Sequence, residues 1–258
     1  MILEVNNISF AYAGAPTLFS NISFSVKQGQ IISIIGPNGV GKTTLLNCMA
    51  NLAAPTEGEI LLEGKDLKRM KAQEIAVKIA FVPQFIIPSF AYEVLSYVVT
   101  GCAPRMGTFE KPKQEHYAIA QQSLEQMKIS HLAQKYYTQI SGGERQQVSI
   151  ARALAQRPKI ILMDEPTAHL DYGNQIKVLK IIKKLAAEGY AAVITTHNPD
   201  HALLLGGEVA AINSNGQFIF GSSREVISEE FLSSLYGVDL RLHHIPGIGR
   251  DVCVAASL

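Results

Sequence analysis

The sequence is short of cysteine. Cys48, Cys102 and Cys253 are an odd number, far apart, with no CxxC pair, so neither a disulfide framework nor a zinc site follows. It has no charge surplus either. Twenty-three Lys and Arg face 22 Asp and Glu, and a net +1 gives no electrostatic case for wrapping nucleic acid. No apolar run approaches the roughly 18 residues of a membrane span. Met1–Asn7 lacks the basic start and apolar centre of a signal peptide. There are no internal repeats, linkers or low-complexity tracts. The expectation is a cytosolic chain that reaches a membrane only through a partner. At 258 residues it has ample material for a core, and its 47% hydrophobic content allows one adhesive surface.

What is present centres on Gly36-Pro37-Asn38-Gly39-Val40-Gly41-Lys42-Thr43-Thr44. This is Gly, four residues, then Gly-Lys-Ser/Thr, the phosphate-binding loop pattern. The apolar run Ile31–Ile35 precedes it, and Leu45, Leu46, Met49 and Leu52 follow at helical spacing. That strand–loop–helix context is what the motif requires. Glycines let the backbone wrap closely around phosphate, and loop amides with a helix N-terminus supply partial positive charge. Lys42 adds a full charge at the β- and γ-phosphates, and the Thr43 hydroxyl is a Mg²⁺ ligand candidate. The pattern predicts nucleoside triphosphate binding.

Along the chain, residues 2–35 read as strands, with Ile22, Phe24 and Val26 alternating with polar residues before a turn at 28–30. Further strands are expected at Gly58–Leu62, Ile79–Val82, Ile160–Met163 and Ala191–Thr195. Helices are expected at Tyr92–Thr100, Glu115–Met127, from Gly142 to about Gln156, and along Ile176, Leu179, Ile182 and Leu185. A Gly/Pro-rich connection is expected at Gly101–Pro112. The reading is a parallel α/β core interrupted by a mostly helical insert.

Two further constellations carry chemistry. Ile160–Met163 is a strand apolar on both faces that ends in Asp164 and Glu165, and open α/β sheets bind ligands at that end. Asp164 is placed to hold Mg²⁺ through water, and Glu165 to polarise an attacking water. The second is Ser141-Gly142-Gly143-Glu144, opening a helix. Ser141 and Glu144 have capping-box spacing, but that leaves two adjacent weak helix formers unexplained. Small residues there open the helix end to an anion, so Ser141 can cap or turn toward phosphate. His243 and His244 are adjacent, face opposite ways on a strand, and read as structural.

Phosphate loop, Gln84, Ser-Gly-Gly, Asp164-Glu165, Ala168-His169-Leu170-Asp171 and His197 occur in one order. Together they resemble the ATP-binding subunits of ABC transporters over essentially the whole chain. The resemblance implies a phosphate-loop ATPase core with an N-terminal antiparallel β subdomain and an inserted α-helical signature subdomain. Its parts would be 1–85 and 157–221 for the core, 86–156 for the helical part, and 222–258 as a C-terminal extension. It implies that two copies pair head to tail, each ATP lying between one phosphate loop and the other chain's Ser141-Gly142-Gly143. Tyr12 would stack on adenine, Gln84 would touch Mg²⁺ and water, Asp171 would cross the dimer interface, and His197 would contact the γ-phosphate. Ile140 and Glu144 stand where the family usually has Leu and Gln.

Within the family, Phe81-Val82-Pro83-Gln84, Tyr92-Glu93-Val94 with Val98-Val99-Thr100-Gly101, Thr195–Pro199 and Glu230–Val238 look like importers of metal chelates. Those importers take up ferric siderophores, haem, cobalamin and relatives such as molybdate. Cys102 stands where that group often has Arg. The resemblance implies a peripheral protein at the cytoplasmic membrane face, partnered by a multi-span permease and indirectly by a substrate-binding protein. Ile86, Ile87, Phe90 and Tyr92 would be permease contacts or core. The alternatives are an exporter subunit or a soluble ABC ATPase of iron–sulfur cluster assembly. The interval from Lys42 to Ser141 is too short for a DNA-repair relative, and one cassette disfavours a ribosomal one.

Overall fold

The computed structural model describes residues 1–84, 91–107 and 109–256. In chain order the elements begin with β1 (Leu3–Ala11), β2 (Thr17–Val26), β3 (Ile31–Ile35) and α1 (Lys42–Met49). There follow β4 (Glu57–Leu62), β5 (Lys65–Asp66), α2 (Ala72–Ala76) and β6 (Ile79–Val82). Then come α3 (Val94–Val99), α4 (Gln114–Gln126), α5 (Gly142–Ala155) and β7 (Ile160–Met163). The chain continues with α6 (Tyr172–Ala187), β8 (Ala191–Thr196), α7 (Pro199–Leu205), β9 (Glu208–Ile212) and β10 (Phe218–Ser222). The last described elements are α8 (Ser223–Val226), α9 (Glu229–Tyr236), β11 (Leu240–Ile245) and β12 (Arg250–Ala255).

The main sheet has the order β10-β9-β3-β8-β7-β6. It is parallel except for β10, which runs antiparallel to β9 at one edge. Helices on its faces bury β3, β7 and β8 completely, which is why these strands read as unbroken apolar runs. An antiparallel sheet, β2-β1-β4-β5, packs Leu3, Val5, Ile8, Ile22, Phe24 and Ile60 against Ile32, Ile34 and Leu45 of the main layer. Their alternation is the half-buried pattern expected of such strands.

Between β6 and β7 the described residues are mostly helical, and α3, α4 and α5 share a core with Val98, Ala120, Leu124, Val148 and Ala151. Two details differ from expectation. The helix expected from Tyr92 starts at Val94, because Tyr92 and Glu93 are extended: the Tyr92 carbonyl accepts from Tyr137 and Glu93 bridges Tyr136. The connection expected from Gly101 instead continues as a 3₁₀ run, Thr100–Arg105. Pro104 fits because its fixed φ suits a helical turn that ends one residue later.

One surface corner joins distant segments. The Glu63 carboxylate, at the β4–β5 turn, accepts from Lys159 and Lys78, which precede β7 and β6. These two hydrogen bonds, that from Lys159 first, pull its pKa from 4.5 down to about 2. A depressed carboxylate stabilises the fold fully above its unfolded pKa and loses that contribution as pH falls through the folded one. Glu63→Gln is therefore expected to lower the Tm at neutral pH and to flatten its acid dependence between 4.5 and about 2. Thermal melts of both proteins across that window check it, and parallel profiles would contradict it.

Candidate active site

Three neighbouring strands deliver the site. β3, β8 and β7 lie side by side, so their C-terminal ends bring the glycine-rich loop, His197 and the Asp164-Glu165 pair together. Gly36 opens the loop so tightly that a Cβ there would lie 2.3 Å from the Ile212 carbonyl oxygen. Gly39 and Gly41 take positive φ, 85° and 102°. Gly41 is the N-cap of α1 and offers no side-chain cap, and the first turn holds no acid, so the helix end keeps its amides for an anion. Pro37 is half-buried and Asn38 exposed on the outer curve of the loop.

Lys42 is 6% exposed, and its ammonium donates to the Gly36 and Pro37 carbonyls at 2.8 and 3.0 Å. Glu165 Oε1 is 3.7 Å away. Burial pushes the Lys42 pKa down, against the opposing pull of Glu165 and Asp164. The lysine thus sits as a charge that carboxylates and carbonyls share, ready to be drawn to a better anion.

Asp164 is 4% exposed and accepts from two hydroxyls: Thr43 Oγ1, shared between its two oxygens at 3.0 and 2.8 Å, and Thr195 Oγ1 at 2.6 Å. Glu165 adopts φ +45°, a left-handed conformation that is uncommon outside glycine, and its amide donates to Thr195 Oγ1 at 2.8 Å. That backbone turn aims the carboxylate back across the sheet end. His197 Nδ1 lies 2.9 Å from Glu165 Oε2. An ionised carboxylate only accepts, so the imidazole donates there, leaving its other nitrogen for a second partner. Thr195 reads in the sequence only as part of the Thr195–Pro199 stretch, without a role at the site. Its signal was a hydroxyl pair, Thr195-Thr196, ending an otherwise apolar strand.

The remaining candidates divide. The Tyr12 hydroxyl meets Thr44 Oγ1 at 2.9 Å and Phe10 packs edge-on against its ring, which stays 57% exposed. Ser141 caps α5: its N–H and hydroxyl both donate to Glu144 Oε2 at 2.8 Å, and Glu144 N–H returns to Ser141 Oγ. Gly142 is exposed, while Gly143 is buried where a Cβ would come 2.7 Å from Asn174. Asp171 caps α6 by accepting from the Asn174 amide at 2.9 Å, the bond that chiefly lowers its pKa. Among the described residues, Ser141 and Asp171 make no hydrogen bond to the phosphate loop or Glu165. Gln84 borders a cleft of about 180 Å³ shared with Gly142, Arg145, Gln146 and residues 168–170. Ile86, Ile87 and Phe90 lie outside the described residues, and Tyr92 is half-exposed.

A family model for ABC transporters matches residues 19–168, more than half of the chain. The chain belongs to the ABC transporter family. As an ABC ATP-binding subunit it is an ATPase. It is 37% identical to the molybdate import ATP-binding protein MolC of Haemophilus influenzae, over 91% of this chain and 87% of that one. It is 35% identical to an iron chelatin transport ATP-binding protein of Helicobacter pylori, over 93% and 94%. A solved inward-facing ABC transporter described as of metal-chelate type superposes with TM-score 0.88 at 33% identity, covering 99% of this chain and 97% of that one. Antiparallel sheet, parallel core and helical segment are accordingly those of an ABC ATPase.

Among the described residues no helix is long and apolar enough to cross a membrane. None of them forms a group of three or more His, Cys, Asp and Glu able to hold a metal by itself. The oxygen donors at the loop, Thr43 and Asp164, are few and hard. That suits an ion which keeps most of its shell for water and phosphate.

Proposed function

We propose that this ABC ATPase powers uptake of a metal chelate or related substrate, of the iron–siderophore, haem, cobalamin or molybdate class, through a partner permease. Two copies would pair head to tail beneath a multi-span permease at the cytoplasmic membrane face, with a substrate-binding protein delivering cargo from the other side. The observation that carries the ATPase part is the Lys42–Glu165–His197 cluster at three adjacent strand ends. What supports import is likeness along nearly the whole length to a molybdate importer subunit, an iron chelatin transport subunit and a metal-chelate-type transporter.

In this reading Lys42 moves from the loop carbonyls to the β- and γ-phosphates, and the amides of residues 36–44 enclose the phosphate chain. Thr43 and Asp164, with Gln84, would hold Mg²⁺, which offsets phosphate charge when bound. Tyr12 stacks on adenine. Glu165 orients the attacking water and accepts its proton, and His197 holds that carboxylate through Nδ1 while Nε2 reaches the γ-phosphate. Exposed Ser141 and Gly142, with buried Gly143 behind them, offer a helix N-terminus to the partner's nucleotide, and Asp171 crosses beside it. ATP binds the closed pair better than the open one, and hydrolysis removes that preference.

The test is to tag Glu165→Gln, add ATP, solubilise native membranes and identify what copurifies. A stoichiometric multi-span permease together with a substrate-binding protein is the expected result. A permease without any binding protein would point to export. A soluble scaffold would overturn the transport reading and leave the ATPase chemistry standing.

A further inference from the structure

The chain beyond β10 reaches the active site from behind. α9 packs Leu232 and Leu235 into one cluster with Ile35, Val209 and Ala211, and Ile35 is the residue before Gly36. The hairpin of β11 and β12 is tied to the same region: the Cys253 amide donates to Asp200 Oδ1 at 2.8 Å, three residues after His197. Glu229 Oε1 takes the Leu242 amide at 2.7 Å and so joins α9 to the hairpin. The last helix is thereby clamped between the entry to the phosphate loop and the element that follows His197.

Tyr236 is the final residue of α9. Its hydroxyl oxygen is fully enclosed and has no partner in hydrogen-bond geometry. The tyrosine packs against the cluster that holds Ile35, so the Gly36 amide approaches its oxygen, though outside hydrogen-bond geometry, and the hydroxyl proton has no acceptor. Burial foremost, then Cys253 and Glu165, push the phenol upward, so it stays neutral and able both to donate and to accept. An enclosed hydroxyl without a partner is destabilising unless another state of the protein supplies one. The neighbour with a second state is the loop entry itself, whose Gly36 and Pro37 carbonyls Lys42 now ties down.

We propose that the Tyr236 hydroxyl is a positioning group for the phosphate loop, fixing the Gly36 peptide once Lys42 leaves the Gly36 and Pro37 carbonyls for phosphate. This rests on Lys42 being the phosphate-binding lysine. The hydroxyl then completes its hydrogen bonding in the nucleotide-loaded protein and not before. Its contribution falls on ATP affinity rather than on the stability of the free protein, which distinguishes it from ordinary packing.

The experiment compares wild type, Tyr236→Phe, Tyr236→Leu and Lys42→Ala as full-length chains. A fluorescent ATP analogue with Mg²⁺ reports affinity, steady-state phosphate release reports kcat and KM, and melting without nucleotide reports stability. Tyr236→Phe is expected to melt at or above the wild-type temperature, yet to bind nucleotide about three- to tenfold more weakly, as one lost hydrogen bond implies. KM should rise with kcat little changed. Tyr236→Leu, which also removes the ring, should melt lower. Affinity of Tyr236→Phe within about twofold of wild type would overturn the proposal, since a single hydrogen bond is worth more than that. So would a lower melting temperature for Tyr236→Phe without nucleotide, because the hydroxyl would then be structural. If Lys42→Ala binds as wild type, the phosphate-loop reading has failed and takes this inference with it. If Lys42→Ala is dead and Tyr236→Phe is unchanged, only Tyr236 loses its role.

Discussion

Glu165→Gln is expected to lose about 10²- to 10⁴-fold in steady-state ATP hydrolysis, the range a general base supplies. Gln keeps the shape of the side chain but cannot take a proton from water. The local frame should survive, because the Glu165 amide bond to Thr195 and the Asp164 hydroxyl contacts belong to backbone and neighbours. Binding should not suffer, and it has a reason to improve. Glu165 Oε1 sits 3.7 Å from the Lys42 ammonium and, in the proposed mechanism, would compete with phosphate for it. Removing that carboxylate leaves Lys42 with only the Gly36 and Pro37 carbonyls to give up. The variant should therefore hold ATP at least as tightly as wild type and accumulate as a dimer. Phosphate release with gel filtration in MgATP checks both halves. Turnover within about tenfold of wild type would remove Glu165 from its role, since that is less than a general base contributes.

Lys42→Ala is expected to fail one step earlier. Truncating one partner of a buried, hydrogen-bonded charge interaction costs about 2–5 kcal/mol, so ATP affinity should fall by at least about 30-fold. The loss is specific to this lysine because it lies at the meeting point of the loop carbonyls and Glu165. Deleting it also leaves Glu165 with His197 as its remaining cationic candidate, so the free protein should melt at a lower temperature. Titration calorimetry with ATP and a melt of the free protein measure the two effects. Unchanged affinity would contradict the phosphate-loop assignment.

The two variants draw on parts of the molecule that differ in how readable they were. The loop, its strand and its helix are contiguous, so residue types and spacing declare them together. Asp164-Glu165 at the end of a wholly apolar strand was equally open to reading, as was the Ser141–Glu144 capping box, which the structure realises in full. Other features depend on register. Thr43 and Asp164 are 121 residues apart, and only the β3-β8-β7 strand order sets them in contact. Thr195 is one hydroxyl in a buried strand until Asp164 and the Glu165 amide are placed on either side of it. The C-terminal stretch gave least. Its hairpin alternates weakly, with partly buried Leu240 and Leu242 set among exposed Arg241, His243 and His244. Its meaning comes from what it packs against, not from its own pattern. His244 meets Asp251 across that hairpin at 2.8 Å, and both histidines lie exposed.

The strand order also governs how the protein is made. β3 emerges early from the ribosome, yet both of its neighbours, β8 and β9, begin only at Ala191 and Glu208. At about 5–20 residues per second, Ile31–Ile35 waits on the order of 10–30 s for a partner strand. Meanwhile the helical segment between β6 and β7 can settle locally, since its contacts are short in sequence. A nascent chain stalled before residue 191 would carry uncovered on both edges a strand that the finished fold buries throughout. Covering β3 is therefore a late event in synthesis, because neither strand that flanks it exists before residue 191.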